Sequence, residues 1–296
     1  MQDFIRKFTV LKGAAPELWL TFAVKLLNFA AYTVTNLTLK RWLSTEFGYS
    51  DQQALALVAT WSISMTVVTL LVGAFTDAVG LRKTFFLGVW LCIFARAVMV
   101  FAPSPGLAIA LGLFPLAAGE ALGTPVLVAA VRKYSTTAQR SISFSGSYLM
   151  VNVGSFVASI LFDWVRQGLG ESGHLTLPLL NTSLTTYRTL FLVSLVLEVL
   201  ILPLIWLMRP GAEVVNDKVV VMPPLPKQER TNFAETISSA VATSAKETIR
   251  IFGELFKQTQ FYRLLVFLLL IAFLKLIFMQ MYYVFPEFGI RELGEG

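Results

Sequence analysis

Long apolar runs alternate with short polar connections along the whole chain. A helix needs about 20 residues to cross the hydrocarbon core of a bilayer, which is about 30 Å thick. Runs of that length are typical of membrane-spanning helices, whereas the core helices of soluble domains are shorter. The pattern therefore predicts seven spans, at roughly 17–43, 53–78, 84–102, 106–131, 141–165, 188–208 and 261–285.

The composition agrees with a membrane protein and excludes several other classes. The chain has 296 residues, of which 56% are hydrophobic and 14% are charged, whereas a soluble domain carries about 25% charged residues. A single histidine and a single cysteine leave little for a Cys/His metal site or a Ser/His/Asp triad. We therefore expect no enzyme activity, no cofactor and no bound metal ion.

The basic residues lie mainly on one side of the predicted membrane. If the N-terminus is cytoplasmic, 16 of the 24 lysines and arginines fall on the cytoplasmic side, five fall outside and three lie within spans. This asymmetry is the positive-inside pattern. It predicts an integral, multi-pass protein of a plasma or inner membrane with a cytoplasmic N-terminus. The net charge of +6 is thus a topology signal, and we expect a lipid bilayer and no nucleic acid as a partner.

The composition changes sharply at Arg209, and this divides the chain into three predicted parts. Residues 1–208 form a six-helix bundle, 209–260 a cytoplasmic linker, and 261–296 the first helix of an incomplete C-terminal bundle. Within the linker, an amphipathic helix is predicted, or else a linker helix with no function of its own. Its apolar positions are Phe233, Ile237, Ala240, Val241, Ala245, Ile249, Phe252 and Phe256.

A glycine-rich and charged connection joins the second and third spans, where residues 73–83 read GAFTDAVGLRK. Gly73 allows close helix approach, Gly80 permits a tight reversal, and Asp77 can accept hydrogen bonds. The stretch resembles the signature of the major facilitator superfamily, with Ala78 in place of a usual basic residue. The resemblance implies an all-α transmembrane fold, namely a six-helix major-facilitator-type bundle, a cytoplasmic linker and a seventh transmembrane helix. It also implies a cytoplasmic gating latch formed by Gly73, Asp77, Gly80, Arg82 and Lys83.

A second stretch, in the fifth span, resembles the proton-coupled oligopeptide transporters of that superfamily. Residues 147–156 read SYLMVNVGSF and follow Arg140 and Phe144, as in that family's pattern. Two positions depart from the pattern. Residues 25–29 read KLLNF where the family has a Glu-x-x-Glu-Arg element, and Thr124 replaces the lysine that precedes a proline in the fourth span. The resemblance therefore implies the fold, but neither peptides as substrate nor proton coupling through the first helix.

Ionisable residues within the spans suggest where chemistry occurs. A charge in mid-bilayer costs about 2.5–3.5 kcal/mol on insertion scales, so it faces a partner or a wet cavity. Lys25, Glu120 and Lys275 fall on spans 1, 4 and 7, which line the central cavity in the superfamily. Similar depths predict that Lys25 pairs with Glu120, either as a structural ion pair or as a solute or proton site. Arg96 and Glu198, on peripheral helices, are predicted to form a structural pair.

Two polar stripes accompany these charges at helical spacing. The first span carries Lys25, Asn28, Tyr32 and Thr35 on one face, with Asn36 beside them. The fifth carries a stripe that either faces a cavity or packs against another helix, since small polar residues also occur at tight membrane interfaces. Its members are Ser141, Ser145, Tyr148, Asn152, Ser155 and Ser159.

These features predict a secondary active transporter, ion- or proton-coupled, that moves a small polar or charged solute by alternating access. Glu120 is then the candidate proton carrier. The alternative is a non-transporting seven-span protein or an inactive remnant. We expect a truncated product that needs its missing C-terminal bundle, or a second copy, for a complete pathway. The predicted solute-binding residues are Lys25, Asn28, Tyr32, Asn36, Glu120, Tyr148, Asn152 and Lys275.

Overall fold

The described residues contain seven helices long and apolar enough to cross a membrane, which confirms the seven predicted spans. The computed structural model describes residues 9–171, 173–178, 181–209, 211–215, 218–221, 242–243, 246, 249–283 and 288. The chain divides into two units, residues 1–240 and 241–296. The helices are α1 Pro16–Phe47, α2 Asp51–Val79, α3 Leu81–Phe101, α4 Pro105–Lys133, α5 Arg140–Leu169, α6 Thr186–Leu207 and α7 Thr259–Tyr283.

Glycine residues form the tight turns between successive helices. Gly48 ends α1 with φ 69°, a left-handed conformation that glycine adopts without a steric penalty. Ser50 then begins α2 with a capping box, in which the Ser50 hydroxyl accepts from the Gln53 amide and the Gln53 side chain accepts from the Ser50 amide. Gly80, with φ 90°, is the single residue between α2 and α3. The reversal predicted at Gly80 is therefore confirmed.

Helices α4 and α6 are both interrupted near prolines. In α4, residues Ala108–Leu113 form a π-helical turn just before Pro115. Because proline lacks a backbone N–H, it cannot continue the hydrogen-bond ladder of an α-helix, and a π turn is one way of passing it. In α6, the helix is interrupted at Leu200 and resumes at Ile201, shortly before Pro203.

Within the first unit, α1 packs along α5 and α6, α6 packs on α3, α3 on α4, and α4 on α2. Two of these contacts depend on glycine. A Cβ at Gly154 of α5 would lie 2.6 Å from the backbone oxygen of Leu26 in α1, and one at Gly119 of α4 would lie 2.5 Å from the sulfur of Cys92 in α3. Close backbone approach of this kind is the usual basis of helix association in membranes.

One end of the bundle, which contains the turn at Gly48, is held by ion pairs. We call it the Gly48 end, and the opposite end, which contains the α2–α3 turn, the Gly80 end. Each described basic residue that the sequence places on the outer side meets a carboxylate at the Gly48 end, whereas Arg291 lies outside the described residues. The pairs are Lys40–Asp51 at 3.3 Å, Arg41–Glu171 at 2.6 Å, Arg166–Glu171 at 2.7 Å and Arg188–Glu46 at 2.6 Å.

Arg188 makes the largest set of contacts at this end. Besides its bond to Glu46 in α1, its guanidinium donates to the backbone oxygens of Val100 and Ala102, at 3.1 and 2.9 Å. These two oxygens terminate α3, so one side chain fastens α6 to α1 and α3. A planar guanidinium suits this fan of acceptors, whereas the lysine ammonium is a compact point charge.

We therefore expect Arg188→Lys to lower the free energy of unfolding by about 2 kcal/mol, the value of one or two lost charge-assisted hydrogen bonds. The matched control is Arg166→Lys, since Arg166 bonds Glu171 in a more exposed position and shares that partner with Arg41. Thermal unfolding of the purified chain in detergent measures both. Equal unfolding midpoints for the two variants would contradict the expected role of Arg188.

Two short antiparallel hairpins were not predicted. One pairs His174–Leu177 with Thr182–Thr185, and the other pairs Ala212–Val215 with Lys218–Val221. The second hairpin falls in the predicted polar linker. Valines on both sides of an Asn-Asp pair indicate two strands joined by a turn, and this sequence signal was missed. Both lie outside the seven spans, so the all-α transmembrane class is confirmed.

In the second unit, residues 249–255 are helical and precede α7. They belong to the predicted amphipathic helix, whose positions Phe233, Ile237, Ala240, Val241 and Ala245 lie outside the described residues. Phe256 contacts Phe252 and Phe261, with ring centroids 6.4 and 5.2 Å apart. The boundaries of the three predicted parts stay predictions.

Candidate functional site

Exposed residues along α5 form a polar strip and an apolar strip, with Phe144 exposed on the far side of the polar strip and Asp163 at the border between the two. With about 100° of rotation per residue, the polar residues lie within about 40° of one direction, and the apolar ones lie about 100° further round the helix. Tyr148 is 65% exposed in the first and Phe156 is 67% exposed in the second. The polar strip is Ser141, Ser145, Tyr148, Asn152 and Ser159, and the apolar strip is Leu149, Phe156, Ile160 and Trp164.

The opposite face of α5 packs inside the bundle and carries different small residues, which include Ser143, Ser147 and Gly154. Packing thus explains those serines and not the exposed ones. Ser155 lies between the two faces and its hydroxyl is 3.2 Å from that of Thr33 in α1. In the polar strip, the side-chain amide of Asn152 donates a hydrogen bond to the backbone carbonyl of Tyr148 in the same helix, at 3.2 Å.

The polar face of α1 is mostly buried within the first unit. Lys25 is 5% exposed, and its ammonium lies 4.6 Å from the centroid of the Phe29 ring, a cation–π distance. Tyr32 is half-buried and stacks on Trp61 of α2, with centroids 6.2 Å apart. The Asn36 amide donates to the Tyr32 carbonyl at 2.9 Å. Lys25 and Tyr32 are therefore held by aromatic neighbours.

Three ionisable side chains meet in the interior between α3, α4 and α6. One guanidinium nitrogen of Arg96 lies 2.5 Å from Oε1 of Glu120, and the other lies 3.0 Å from Oε2 of Glu198. All three side chains are buried, with at most 4% exposure. We call them the buried triad. The prediction that Arg96 pairs with Glu198 is confirmed.

The prediction that Lys25 pairs with Glu120 is wrong. Depth along the membrane normal placed the two residues at one level, but rotation about the axis of α4 turns Glu120 towards α3 and Arg96. Glu120 is thus part of the buried triad and is compensated by a guanidinium. Asn28, 6% exposed, likewise faces inward.

Asn28 lines a cavity of about 10 Å³ together with Cys92 and Glu198, large enough for about one water molecule. The Oε1 atom of Glu198 is buried without a hydrogen-bond partner among the described residues. Cys92, Glu120 and Glu198 bring possible ligand atoms within 4.8 Å of one another. Arg96 already supplies the positive charge of this cluster, so we assign no metal ion to it.

The predicted latch residues lie at the Gly80 end of the bundle. Arg82 donates to the carbonyl of Trp206 in α6 at 2.9 Å, and its guanidinium lies 5.6 Å from the centroid of the Phe86 ring. Lys83 is exposed. Gly73 and Asp77 lie within α2. The side chain of Asp77 is outside the described part of the structure. Among the described side chains of the predicted latch, Arg82 contacts α6. The gating role of the latch stays a prediction.

A second contact at the Gly80 end, an ion pair between α1 and the end of α6, was not predicted from the sequence. Arg209, just after α6, donates to both carboxylate oxygens of Glu17 at the start of α1, at 2.5 and 3.1 Å. This bond raises the pKa of the Arg209 guanidinium above its usual value, so it is charged at every physiological pH. Because 192 residues separate the partners, no local pattern could have indicated the pair.

Lys275, the remaining predicted solute ligand, lies on α7 in the second unit. Its side chain is exposed there, as are its apolar neighbours Leu274 and Leu276. Its predicted role stays a prediction.

Comparison with known proteins decides the family. The family model described as Major Facilitator Superfamily matches residues 21–296. The chain belongs to the Major Facilitator Superfamily. This superfamily consists of membrane transporters. A comparison with curated protein sequences gave no significant match.

Solved structures similar to this superfamily member include several peptide transporters. One, from a study of the selectivity mechanism of a bacterial homologue of the human drug peptide transporters PepT1 and PepT2, has 18% identity and a TM-score of 0.56, covering 90% of this chain and 55% of that one. Tetrameric PepTSo2 in the P4212 space group has 18% identity and a TM-score of 0.56, covering 93% and 56%. A POT family transporter in complex with 5-aminolevulinic acid has 16% identity and a TM-score of 0.56, covering 89% and 52%. This chain spans about half the length of these proteins.

Proposed function

We propose that this chain forms part of a secondary active transporter that moves a small polar or charged solute by alternating access, driven by an ion or proton gradient. In this proposal, the six-helix bundle works with a second bundle that begins with α7. Its solute site lies near mid-membrane, as in transporters built from structural repeats. The Gly80 end is cytoplasmic, in agreement with the positive-inside pattern and with the neutralised bases at the Gly48 end.

The division of α5 into two strips is the observation that carries this proposal. An exposed asparagine amide and phenol within a span are costly against hydrocarbon, because lipid offers no hydrogen-bond partner. The apolar strip, with Phe156 and Trp164, suits lipid. The polar strip, with Tyr148 and Asn152, instead suits water, a solute or another protein surface. A helix with lipid on one side and a wet cavity on the other separates its exposed side chains in this way.

Other helices add polar groups to the proposed solute site. Thr124 is exposed on α4, at the position where the peptide transporters that the sequence resembles carry a lysine. Tyr32 of α1 is partly exposed and remains a proposed ligand, as does Lys25, whose ammonium rests on the Phe29 ring. Together these groups provide hydroxyl, amide and ammonium chemistry for a small polar or charged solute. The similar structures include a homologue of peptide transporters and a transporter in complex with 5-aminolevulinic acid, so amino acids and dipeptides are the first solutes to test.

A ligand-stabilisation screen tests the proposal. The purified full-length protein in detergent is heated with dipeptides, amino acids, sugars or organic anions, and a solute that binds the folded state raises the melting temperature by mass action. We expect one class to give a concentration-dependent shift. If none of the four classes changes the melting temperature, and liposomes with the protein take up none of them, the proposal fails.

Substitutions on α5 then locate the site. Asn152→Leu is expected to weaken binding of that solute by up to about tenfold, because one hydrogen bond contributes a net free energy of about 0.5–1.5 kcal/mol. Phe156→Leu, the matched control on the apolar strip, is expected to bind as the unaltered protein does. Titration of the melting temperature measures both. Equal affinities for the two variants would show that the polar strip does not bind the solute.

A further inference from the structure

The buried triad contains one more carboxylate than it has cationic groups. With both carboxylates ionised, Glu120, Arg96 and Glu198 carry a net charge of −1 in the interior of the bundle, where all three are almost completely buried. An uncompensated charge is strongly disfavoured in such surroundings, and the group neutralises instead. One bound proton would bring the net charge of the triad to zero.

The hydrogen bonds distinguish the two carboxyl groups. Glu120 holds the shorter contact to Arg96, at 2.5 Å from Oε1, and charge-assisted hydrogen bonds are the shorter ones. Glu198 is 3.0 Å away through Oε2, and its Oε1 is buried without a partner among the described residues. A carboxylate oxygen can only accept, whereas a protonated oxygen can also donate. The unpaired and fully buried Oε1 of Glu198 therefore has room for a proton.

The cavity beside Glu198 is also lined by a residue that can accept a hydrogen bond. Asn28 of α1 and Cys92 of α3 line it together with Glu198, and the amide oxygen of an asparagine can accept a hydrogen bond. Its volume of about 10 Å³ is also enough for one bridging water. Through Asn28, the polar face of α1 therefore lines the same cavity as Glu198.

The charged and titratable groups around Glu198 come from two helices. Helix α3 provides Arg96 and the buried thiol of Cys92, and α4 provides Glu120. Helix α1 presents the neutral Val24 and Asn28 to the cavity. Its lysine is turned about 60° away from Asn28 around the helix axis, with the ammonium over Phe29. Arg96 is thus the cation that the two carboxyl groups share.

We propose that the buried triad is a proton-binding site that holds one exchangeable proton on Oε1 of Glu198. A hydronium ion supplies the proton: one of its O–H bonds breaks as the O–H bond at this oxygen forms, and a water molecule is released. Glu120 stays ionised and bound to Arg96. The sequence had suggested Glu120 as the proton carrier, whereas the geometry points to Glu198 on α6.

Infrared spectroscopy of the purified chain in detergent at neutral pH tests this assignment. We expect the C=O band of one protonated carboxylic acid per chain, which disappears in Glu198→Gln. It should also disappear in Glu120→Gln, because the triad is then neutral with Glu198 ionised. Glu171→Gln, a control in a partly exposed ion pair, should leave the band unchanged. A band that survives Glu198→Gln, or the lack of any such band in the unaltered chain, would overturn the proposal.

A second variant leaves the triad itself intact and tells its two carboxyl groups apart. Asn28→Leu removes the polar neighbour of Glu198 in the cavity, so it should shift the band to the higher frequency of a less hydrogen-bonded acid. An unshifted band would place the proton on Glu120 and overturn the assignment to Glu198. Asn28→Leu also tests the assignment if Glu198→Gln fails to fold.

The proposal rests on the proposed function only for its link to transport. Proton occupancy is measured without any transported solute, so the two can fail separately. If the infrared assignment holds, Glu198→Gln is expected to abolish uptake driven by a pH gradient while exchange of solute continues. Unchanged driven uptake, with the band still lost, would contradict proton coupling at this site and leave the proton-binding assignment intact.

Discussion

Replacing Arg96 by methionine is expected to lower the free energy of unfolding by about 3–5 kcal/mol, the usual cost of removing one partner from a buried ion pair. The substitution leaves Glu120 and Glu198 facing one another without a cation, at positions that are almost fully buried. Both carboxyl groups must then be protonated or exposed to water. Chemical unfolding of the purified chain in mixed micelles measures the loss, together with the yield of folded protein.

Two further variants separate charge from packing in this experiment. Arg250→Met is the matched control, because Arg250 and Glu254 form an exposed pair at 3.9 Å and such pairs contribute at most about 0.5 kcal/mol. Arg96→Met combined with Glu120→Leu and Glu198→Leu should recover much of the lost stability, since apolar residues often replace a buried ion network without penalty. A stable single Arg96→Met variant would show that Glu120 and Glu198 need no cation beside them in the interior.

Gly154→Ala is expected to destabilise the bundle by about 1–3 kcal/mol, the usual cost of overpacking a tight contact. The added Cβ would lie 2.6 Å from the backbone oxygen of Leu26. A backbone oxygen cannot rotate away as a side chain can, so α5 must move away from α1. The same movement would shift the polar strip, so weaker solute binding should accompany the loss of stability.

The control for this substitution is Gly168→Ala, in the same helix. A Cβ at Gly168 meets nothing within 4 Å, and alanine generally favours a helix by about 0.5–1 kcal/mol over glycine. We therefore expect Gly168→Ala to be neutral or slightly stabilising. Equal unfolding midpoints for the two alanine variants would mean that α1 and α5 do not depend on close approach at Gly154.

Two parts of the candidate site illustrate how far the sequence reaches. The polar stripe of α5 was evident from its spacing, yet the same spacing fitted either a cavity or a helix contact. The structure separates the exposed Ser145 from the packed Ser143 and Ser147. The partner of Glu120 was predicted from depth and was wrong. Depth is one coordinate only, and the rotation of a helix about its axis selects among the neighbours at that level.

The sequence by itself determined the features that depend on consecutive residues. The length of an apolar run decides whether a helix spans the bilayer. Gly80 has no side chain, so it can adopt the positive φ at which the chain reverses. Tertiary structure alone decided that Glu120 joins the predicted Arg96–Glu198 pair, and that Arg209 meets Glu17. Such pairs depend on how six helices are rotated and packed, and that arrangement minimises a free energy shared by the whole bundle.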